Sequence, residues 1–385
     1  MPIEKYEKNV YQCSKVACCK VITPQKYLFL PSCPMYEYHH WEPYYPGGWM
    51  FLARKLITGE IKPSQDLAEI IYTCTTCGMC DELCDPLNNI PIMEIMDEFR
   101  FDLVKAGFAP MPALKEAAGN IANNHNPYGE SHDKRFAWME EKVPSKADVV
   151  YFVGSTTAYK TPEIAKATVK VLNTAGVKFG IVDEWDSGEL LFRTGQRELA
   201  SDSIKHNVDA IKSAGAKTVI TSDPHAYEVF KIEYQMPGVE VLHTTEYFSN
   251  LIKAGKLAHK IGIKDKVTYH DPCNLCRVGL GKFVGYQVVE PPREILKDLH
   301  VENTEMTRNK RWAYCCGAGG GVYMHLPDYA EWTAAERLAE AEKTGAKMVV
   351  TACPLCKMNL TAAAKKTKRP IKVSDINELI VTTAC

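Results

Sequence analysis

The cysteines constrain this chain more than any other feature. Fifteen occur in 385 residues, and fourteen of them fall into three groups, at 13–33, 74–84 and 273–356, with none from 85 to 272. A disulfide framework belongs to oxidising compartments and would spread its cysteines more evenly, so metal binding is the leading reading. The amino terminus MPIEKYEKNV has neither the apolar stretch nor the small-residue cleavage site of a signal peptide. No run approaches the ~18 apolar residues that span a bilayer, and a soluble cytoplasmic protein with no transmembrane segment is expected. Lys and Arg (46) balance Asp and Glu (47) to a net charge of −1, with no dense basic block, which excludes nucleic acid as a partner.

Cys74-x2-Cys77-x2-Cys80-x3-Cys84 has the spacing of a bacterial ferredoxin segment, in which three thiolates hold one iron–sulfur cubane and the fourth reaches a second cluster. Gly78 lets the backbone approach the metal. Pro86, one residue later than usual, is a departure. The partner group is less regular: Cys13, Cys18 and Cys19 lie in CSKVACC, with Val16 where a ligand is expected, and Cys33-Pro34 supplies the crossing cysteine. The simplest assignment gives one [4Fe–4S] cubane to Cys33, Cys74, Cys77 and Cys80, and a second to Cys13, Cys18, Cys19 and Cys84. Zinc in all-thiolate sites is the competing reading, but zinc favours isolated C-x2-C pairs over an interleaved run.

Periodicity divides the chain into an α+β multidomain protein. Residues 1–110 read as a helical ferredoxin-like module with helices near 49–57, 66–71 and 92–106. Residues 111–145 mix Pro, Gly, Asn and charge and read as a surface linker. From 146 onward, β-branched runs alternate with helices, the pattern of a parallel α/β sheet. SAGAKTVITSDPHAY and KTGAKMVVTACPLCK mark an internal repeat, 146–262 and 263–385. In the second copy Cys273, the pair Cys315-Cys316 and Cys353/Cys356 each follow an expected strand (KVTYHDPC, RWAYCCG, AKMVVTACPLC), which gathers five thiols at one sheet edge. The first copy has Ser155, Asp186, Ser187, Asp223 and Ala226 at those places. Asp186, Asp223 and His225 could form a hard-metal site, yet capping is the commoner use of such carboxylates. The run 317–321 is read as giving a cluster close backbone approach, His270-Asp271 as strand-end hydrogen bonding, and the aromatic stretch 36–45 as packing over a cluster or a partner surface. Cys385 is expected to be a free exposed thiol.

YHDPCNLCR, CCGAGGG and CPLC resemble the cysteine-rich CCG domain found in the B- and D-type subunits of heterodisulfide reductase, and the ferredoxin segment with NPYG resembles the D-type subunit and the iron–sulfur subunit of glycolate oxidase. The resemblance covers nearly the whole chain. It implies that Cys273, Cys315, Cys316, Cys353 and Cys356 hold a non-cubane [4Fe–4S] cluster, which in that family acts on a disulfide or thiol substrate. Cys276 is an extra thiol, open to three roles: additional ligand, resolving thiol or bystander.

Together these readings describe an iron–sulfur subunit of a multi-subunit oxidoreductase, with electrons passing through two cubanes to or from the third cluster. The alternative is a pure relay between a flavin or iron–sulfur partner and a separate catalytic subunit, an acyl-CoA or 2-hydroxy-acid enzyme. No G-x-G-x-x-G follows a first strand, so a flavin or nicotinamide belongs to another chain. Separate cores for the modules predict that losing Cys77 removes one cubane and leaves the carboxyl-terminal cluster.

Overall fold

The β-branched runs become short parallel strands in a computed structural model that describes residues 1–25, 28–84, 89–277 and 287–385. The displaced Pro86 lies outside the described residues. An antiparallel pair, β1 (Val21–Gln25) and β2 (Leu28–Pro31), occupies the amino-terminal third. Next come β3 (Val149–Phe152), β4 (Phe179–Gly180), β5 (Thr218–Thr221) and β6 (Glu240–His243), forming a parallel sheet in the order β4-β3-β5-β6. A second parallel sheet orders β7 (Val267–His270), β8 (Met348–Thr351) and β9 (Lys372–Asp375) in sequence. Phe152 pairs with Thr221 and His270 with Thr351, so the strands of each sheet end level and their following loops leave from one edge.

RWAYCCG differs from expectation. It forms a 3-10 turn (Lys310–Trp312) and then irregular chain. The guanidinium of Arg277 takes the carbonyls of Arg311 and Ala313, satisfying acceptors that a strand would offer to its neighbour.

The two sheets share one core. Val150, Phe152 and Val219 of the first belong to the same apolar cluster as Val267, Tyr269 and Val350 of the second. Helix Ile376–Ala384 packs on helix Pro162–Thr174, and helix Thr244–Lys253 on helix Glu290–Asp298, exchanging support between the repeats. In the amino-terminal third, helices Pro46–Ile57, Gln65–Tyr72 and Ile92–Lys105 bury Trp49, Ile71 and Phe99 in a core that also contains Cys19, Cys80 and Cys84.

The stretch expected as a surface linker is packed structure. Pro112 starts the helix Pro112–Asn124, which buries Leu114, Ala117, Ala118 and Ile121, and His125 ends it in the left-handed conformation. Arg135 and Glu184 then form a fully buried ion pair, and Trp138 joins the shared core. Its Pro and Gly-rich composition marks helix ends as well as exposed turns. Among the described residues no helix is long and apolar enough to cross a membrane.

Candidate metal centres

Every cysteine is a free thiol. Cys13, Cys18, Cys19 and Cys84 line a cavity of about 30 Å3, and Cys33, Cys74, Cys77 and Cys80 line one of about 20 Å3 that shares Cys19 as a wall. Local backbone conformation produces both. Thr76 and Gly78 take positive φ (50° and 68°), coiling the loop after helix Gln65–Tyr72 so that its sulfurs face inward. Helix Met79–Cys84 then places Cys80 at the second cavity and Cys84, one turn on, at the first. In the irregular run CSKVACC, Lys15 and Ala17 also take positive φ (57° and 60°), and Val16 is turned out to solvent at 64% exposure. Arg54 holds this run through the carbonyls of Val10, Tyr11 and Cys13.

The five carboxyl-terminal cysteines are buried, none above 8% exposure. Their side chains form a continuous chain of sulfur contacts: Cys273 to Cys315, Cys315 to Cys316, Cys316 to Cys356, and Cys356 to Cys353. Cys273 opens a one-turn helix just after β7. Cys353 caps helix Pro354–Lys366 after β8, its Sγ accepting from the Cys356 amide at 3.3 Å. The Gly317 amide donates to Cys315 Sγ at 3.2 Å. Cys276 stands outside this chain: its thiol faces its own helix carbonyl, and burial pushes it up to about 12.

Sequence reasoning gives His270 only a strand-end role. Its ring lies among the sulfurs, with a nitrogen within 4.8 Å of Cys316 and Cys356. Arg337 Nε donates to its Nδ1 at 3.0 Å, and burial beside that guanidinium pushes the imidazole down to about 3. The available signal is position, three residues before Cys273 at the end of β7. Asp271 makes the strand-end bonds, pairing with Arg293 at 2.8 Å and taking the Lys310 amide.

The glycine run, read as giving a cluster close backbone approach, packs against the ferredoxin-type loop. A Cβ at Gly319 would lie 2.6 Å from the Thr75 carbonyl and one at Gly320 2.7 Å from that of Cys74, so the run 317–321 is dovetailed into the ferredoxin-type loop. Cys315 Sγ donates to Thr75 Oγ1 at 3.5 Å, and the Cys77 thiol contacts Cys315 directly. The modules keep separate main cores but meet here, where Ile22, Cys77 and Met79 share a small apolar cluster with Cys273 and Cys315.

In the first repeat Ser155, Asp186 and Asp223 are bonded within the site. Ser155 Oγ donates to Asp186 at 2.7 Å, the Gly188 amide donates to Asp186, and Asp223 caps helix Pro224–Ile232 while pairing with His225 at 2.9 Å. These residues and Gly319–Gly321 line a cavity of about 70 Å3 between the repeats. In the aromatic stretch, Tyr38 packs on Tyr329 and Trp332, and His39 stacks on Tyr44. Cys385 is half-buried against the shared core.

The donor sets fit iron–sulfur clusters. Among the described residues, both small cavities offer sulfur with no carboxylate or imidazole on their walls, the choice of a soft, thiolate-seeking metal. Burial raises the Cys33 and Cys80 thiols well above their ordinary range and brings Cys74 to about 11, so metal must displace protons to bind.

Comparison with known proteins agrees. Residues 149–230 and 267–361 match the CCG cysteine-rich domain, and 8–87 match the 4Fe-4S dicluster domain. The D-type subunit of the dihydromethanophenazine:CoB–CoM heterodisulfide reductase of Methanosarcina barkeri is 35% identical over 88% of this chain and 85% of its own. Its counterpart in Methanosarcina acetivorans is 37% identical over 83% and 80%. The EtfAB:quinone oxidoreductase of Syntrophomonas wolfei is 29% identical over 81% of this chain and 46% of its own. A hypothetical protein from Helicobacter pylori shares the fold at a TM-score of 0.57 and 11% identity, over 88% of this chain and 67% of its own. Likeness along nearly the full length, in both the dicluster segment and the two CCG repeats, places the chain in the family of D-type heterodisulfide reductase subunits, as an iron–sulfur electron-transfer subunit of a multi-subunit oxidoreductase.

Proposed function

We propose that Cys33, Cys74, Cys77 and Cys80 hold one [4Fe–4S] cubane, that Cys13, Cys18, Cys19 and Cys84 hold a second, and that Cys273, Cys315, Cys316, Cys353 and Cys356 hold a non-cubane [4Fe–4S] cluster. Residues 1–110 form the two-cubane unit, 146–262 a repeat with no cluster, and 263–385 the repeat that carries one. The contact between Cys77 and Cys315 carries the reading, because it brings two ligand sets side by side. When bound, the clusters supply one-electron transfer. The protein's own residues fix their spacing, withhold water and keep the thiols inside apolar walls.

The partner is a second redox protein carrying a flavin or further iron–sulfur clusters, in the cytoplasm, where a chain of free thiols stays reduced. A disulfide or thiol substrate meets the five-cysteine site. Reduction of a disulfide takes two electrons and two protons, breaks one S–S bond and yields two thiols. With Ser155, Asp186, Ser187, Asp223 and Ala226 in place of cysteines, the first repeat cannot supply a second cluster for a paired mechanism.

One observation favours the second reading, a pure relay to a separate catalytic subunit such as an acyl-CoA or 2-hydroxy-acid enzyme. The five cysteines are each at most 8% exposed, and none of them lines the cavity of about 70 Å3 between the repeats. Anaerobic metal analysis tests the common core: about twelve irons per chain are expected from three four-iron clusters, and stoichiometric zinc with little iron would overturn it. Oxidation with ferricyanide in the presence of a small mercaptan separates the two readings. A new EPR species whose lines broaden with labelled sulfur supports substrate contact, and an unchanged spectrum across several thiols supports the relay.

A further inference from the structure

Two buried guanidiniums sit where the cysteine groups meet, and among the described residues neither is ion-paired with a carboxylate. Arg100, within helix Ile92–Lys105, sends Nη2 to the carbonyls of Ile71 (3.2 Å) and Cys74 (2.7 Å), and Nη1 to those of Arg193 (2.6 Å) and Gly320 (3.1 Å). Its Nε is buried without a partner. Arg277 sends Nε to the Cys77 carbonyl at 3.0 Å and Nη1 to Arg311 and Ala313 at 2.8 Å each. The carboxylates nearby are engaged elsewhere: Asp97 and Glu228 by Arg193, Glu82 by Arg311, and Asp271 by Arg293. Among the described residues neither Arg100 nor Arg277 forms an ion pair.

A buried cation bonded only to neutral carbonyls is costly unless an anion stands close by, and a guanidinium cannot escape the cost by losing its proton. Apart from Asp97, which Arg193 holds and which also acts on Arg100, the groups nearby that become anionic are thiols. Arg277 acts most on Cys276 and then on Cys77, Cys273 and Cys315, the last three spanning both ligand sets, whereas Arg100 acts on Cys74. We propose that Arg100 and Arg277 are positioning residues that clamp the loop 74–77 to the five-cysteine site and act as counter-charges to the clusters there. The inference rests on the cluster reading above. A fixed positive charge beside a cluster stabilises its reduced, more negative state and so raises its potential; net charge and hydrogen bonding are the levers by which proteins set these potentials. The geometry makes the pair asymmetric: Arg277 serves clusters on both sides of the junction, and Arg100 serves the Cys74 side.

The test is an EPR-monitored redox titration of the full-length, anaerobically reconstituted protein, with iron counted in each sample. Arg277→Gln is expected to shift both the cubane and the carboxyl-terminal signal to lower potential. Arg100→Gln should shift the cubane alone. Arg277→Lys, which keeps the charge, should stay near the unsubstituted protein. Full iron with unmoved potentials in Arg277→Gln would overturn the proposal, as would a Lys variant that shifts as far as the Gln variant. If Arg277→Gln loses iron, the Lys variant decides. Recovery of iron and potential supports a counter-charge, and loss of iron there too overturns it, leaving a structural clamp only. Zinc in the unsubstituted protein would instead overturn the cluster reading itself, before any variant is compared.

Discussion

At the residue scale, one methyl group at position 320 separates two causes of glycine dependence. Gly320 has φ +62° and a Cβ there would meet the Cys74 carbonyl at 2.7 Å, whereas Gly345 has φ +77° and nothing within 4 Å. Gly345→Ala should therefore cost only the left-handed strain, about 1–2 kcal/mol. Gly320→Ala adds a backbone clash that neither loop can relieve by rotating a side chain, and about 2–4 kcal/mol is expected for the sum. Denaturant midpoints of the two variants measure the difference, and equal midpoints would mean that the loops are not dovetailed. Cys77 gives a second prediction at this scale. Its thiol touches Cys315, so Cys77→Ser should lower iron by about four per chain and also alter the EPR lines of the remaining carboxyl-terminal cluster. Unaltered lines would restore the modular picture that spacing alone suggests.

At the scale of single elements, the strand β6 ends on a histidine that does a cap's work. His243 Nδ1 accepts from the Thr245 amide at 3.2 Å, and Glu246 reaches back to the His243 amide, completing a capping box for helix Thr244–Lys253. Full burial pushes the imidazole down to about 4. Since an unfolded histidine takes its proton near pH 6.5, the folded state loses stability as pH falls from about 6.5 toward 4, by about 2 kcal/mol at pH 5 relative to pH 7 from this residue. His243→Asn keeps a capping oxygen and should flatten that pH dependence, read from urea unfolding at the two pH values; an unchanged slope would place the titration elsewhere. The strands β3, β5 and β8 are legible in the sequence because ADVVYFVGS, AKTVITSD and AKMVVTACP each combine a β-branched run with a polar exit. RWAYCCG looks alike but is held by Arg277, a partner 34 residues away from Arg311, and local pattern has no means of showing it. Helix Pro112–Asn124 is hidden because Pro and Gly read as linker residues where they mark its ends and turns.

Across the whole molecule, the thiol groupings are legible because metal ligands must come from a few residue types at tight spacings. How the groups meet is not, because the junction is made by backbone carbonyls and glycines, which carry no spacing signature. Thr75 and Cys74 receive Gly319 and Gly320, Leu114 covers Gly321, and Arg100 ties Cys74, Arg193 and Gly320 together, drawing on all three segments of the chain. Cutting the chain should therefore damage the site. A fragment of residues 146–385 leaves uncovered the face of the 315–321 loop that Thr75 and Leu114 close, exposing both apolar surface and the Cys315 thiol to water. Produced alone, it should bind less iron than its share in the intact chain, whereas co-production with residues 1–145 should restore both the iron and the carboxyl-terminal EPR signal. Iron analysis and EPR of the three preparations check this. A lone 146–385 fragment with its full complement of iron and an unchanged signal would show that the loop keeps its shape without the ferredoxin-type partner, and that the close packing at Gly319 and Gly320 follows from assembly of the site and is not a condition for it.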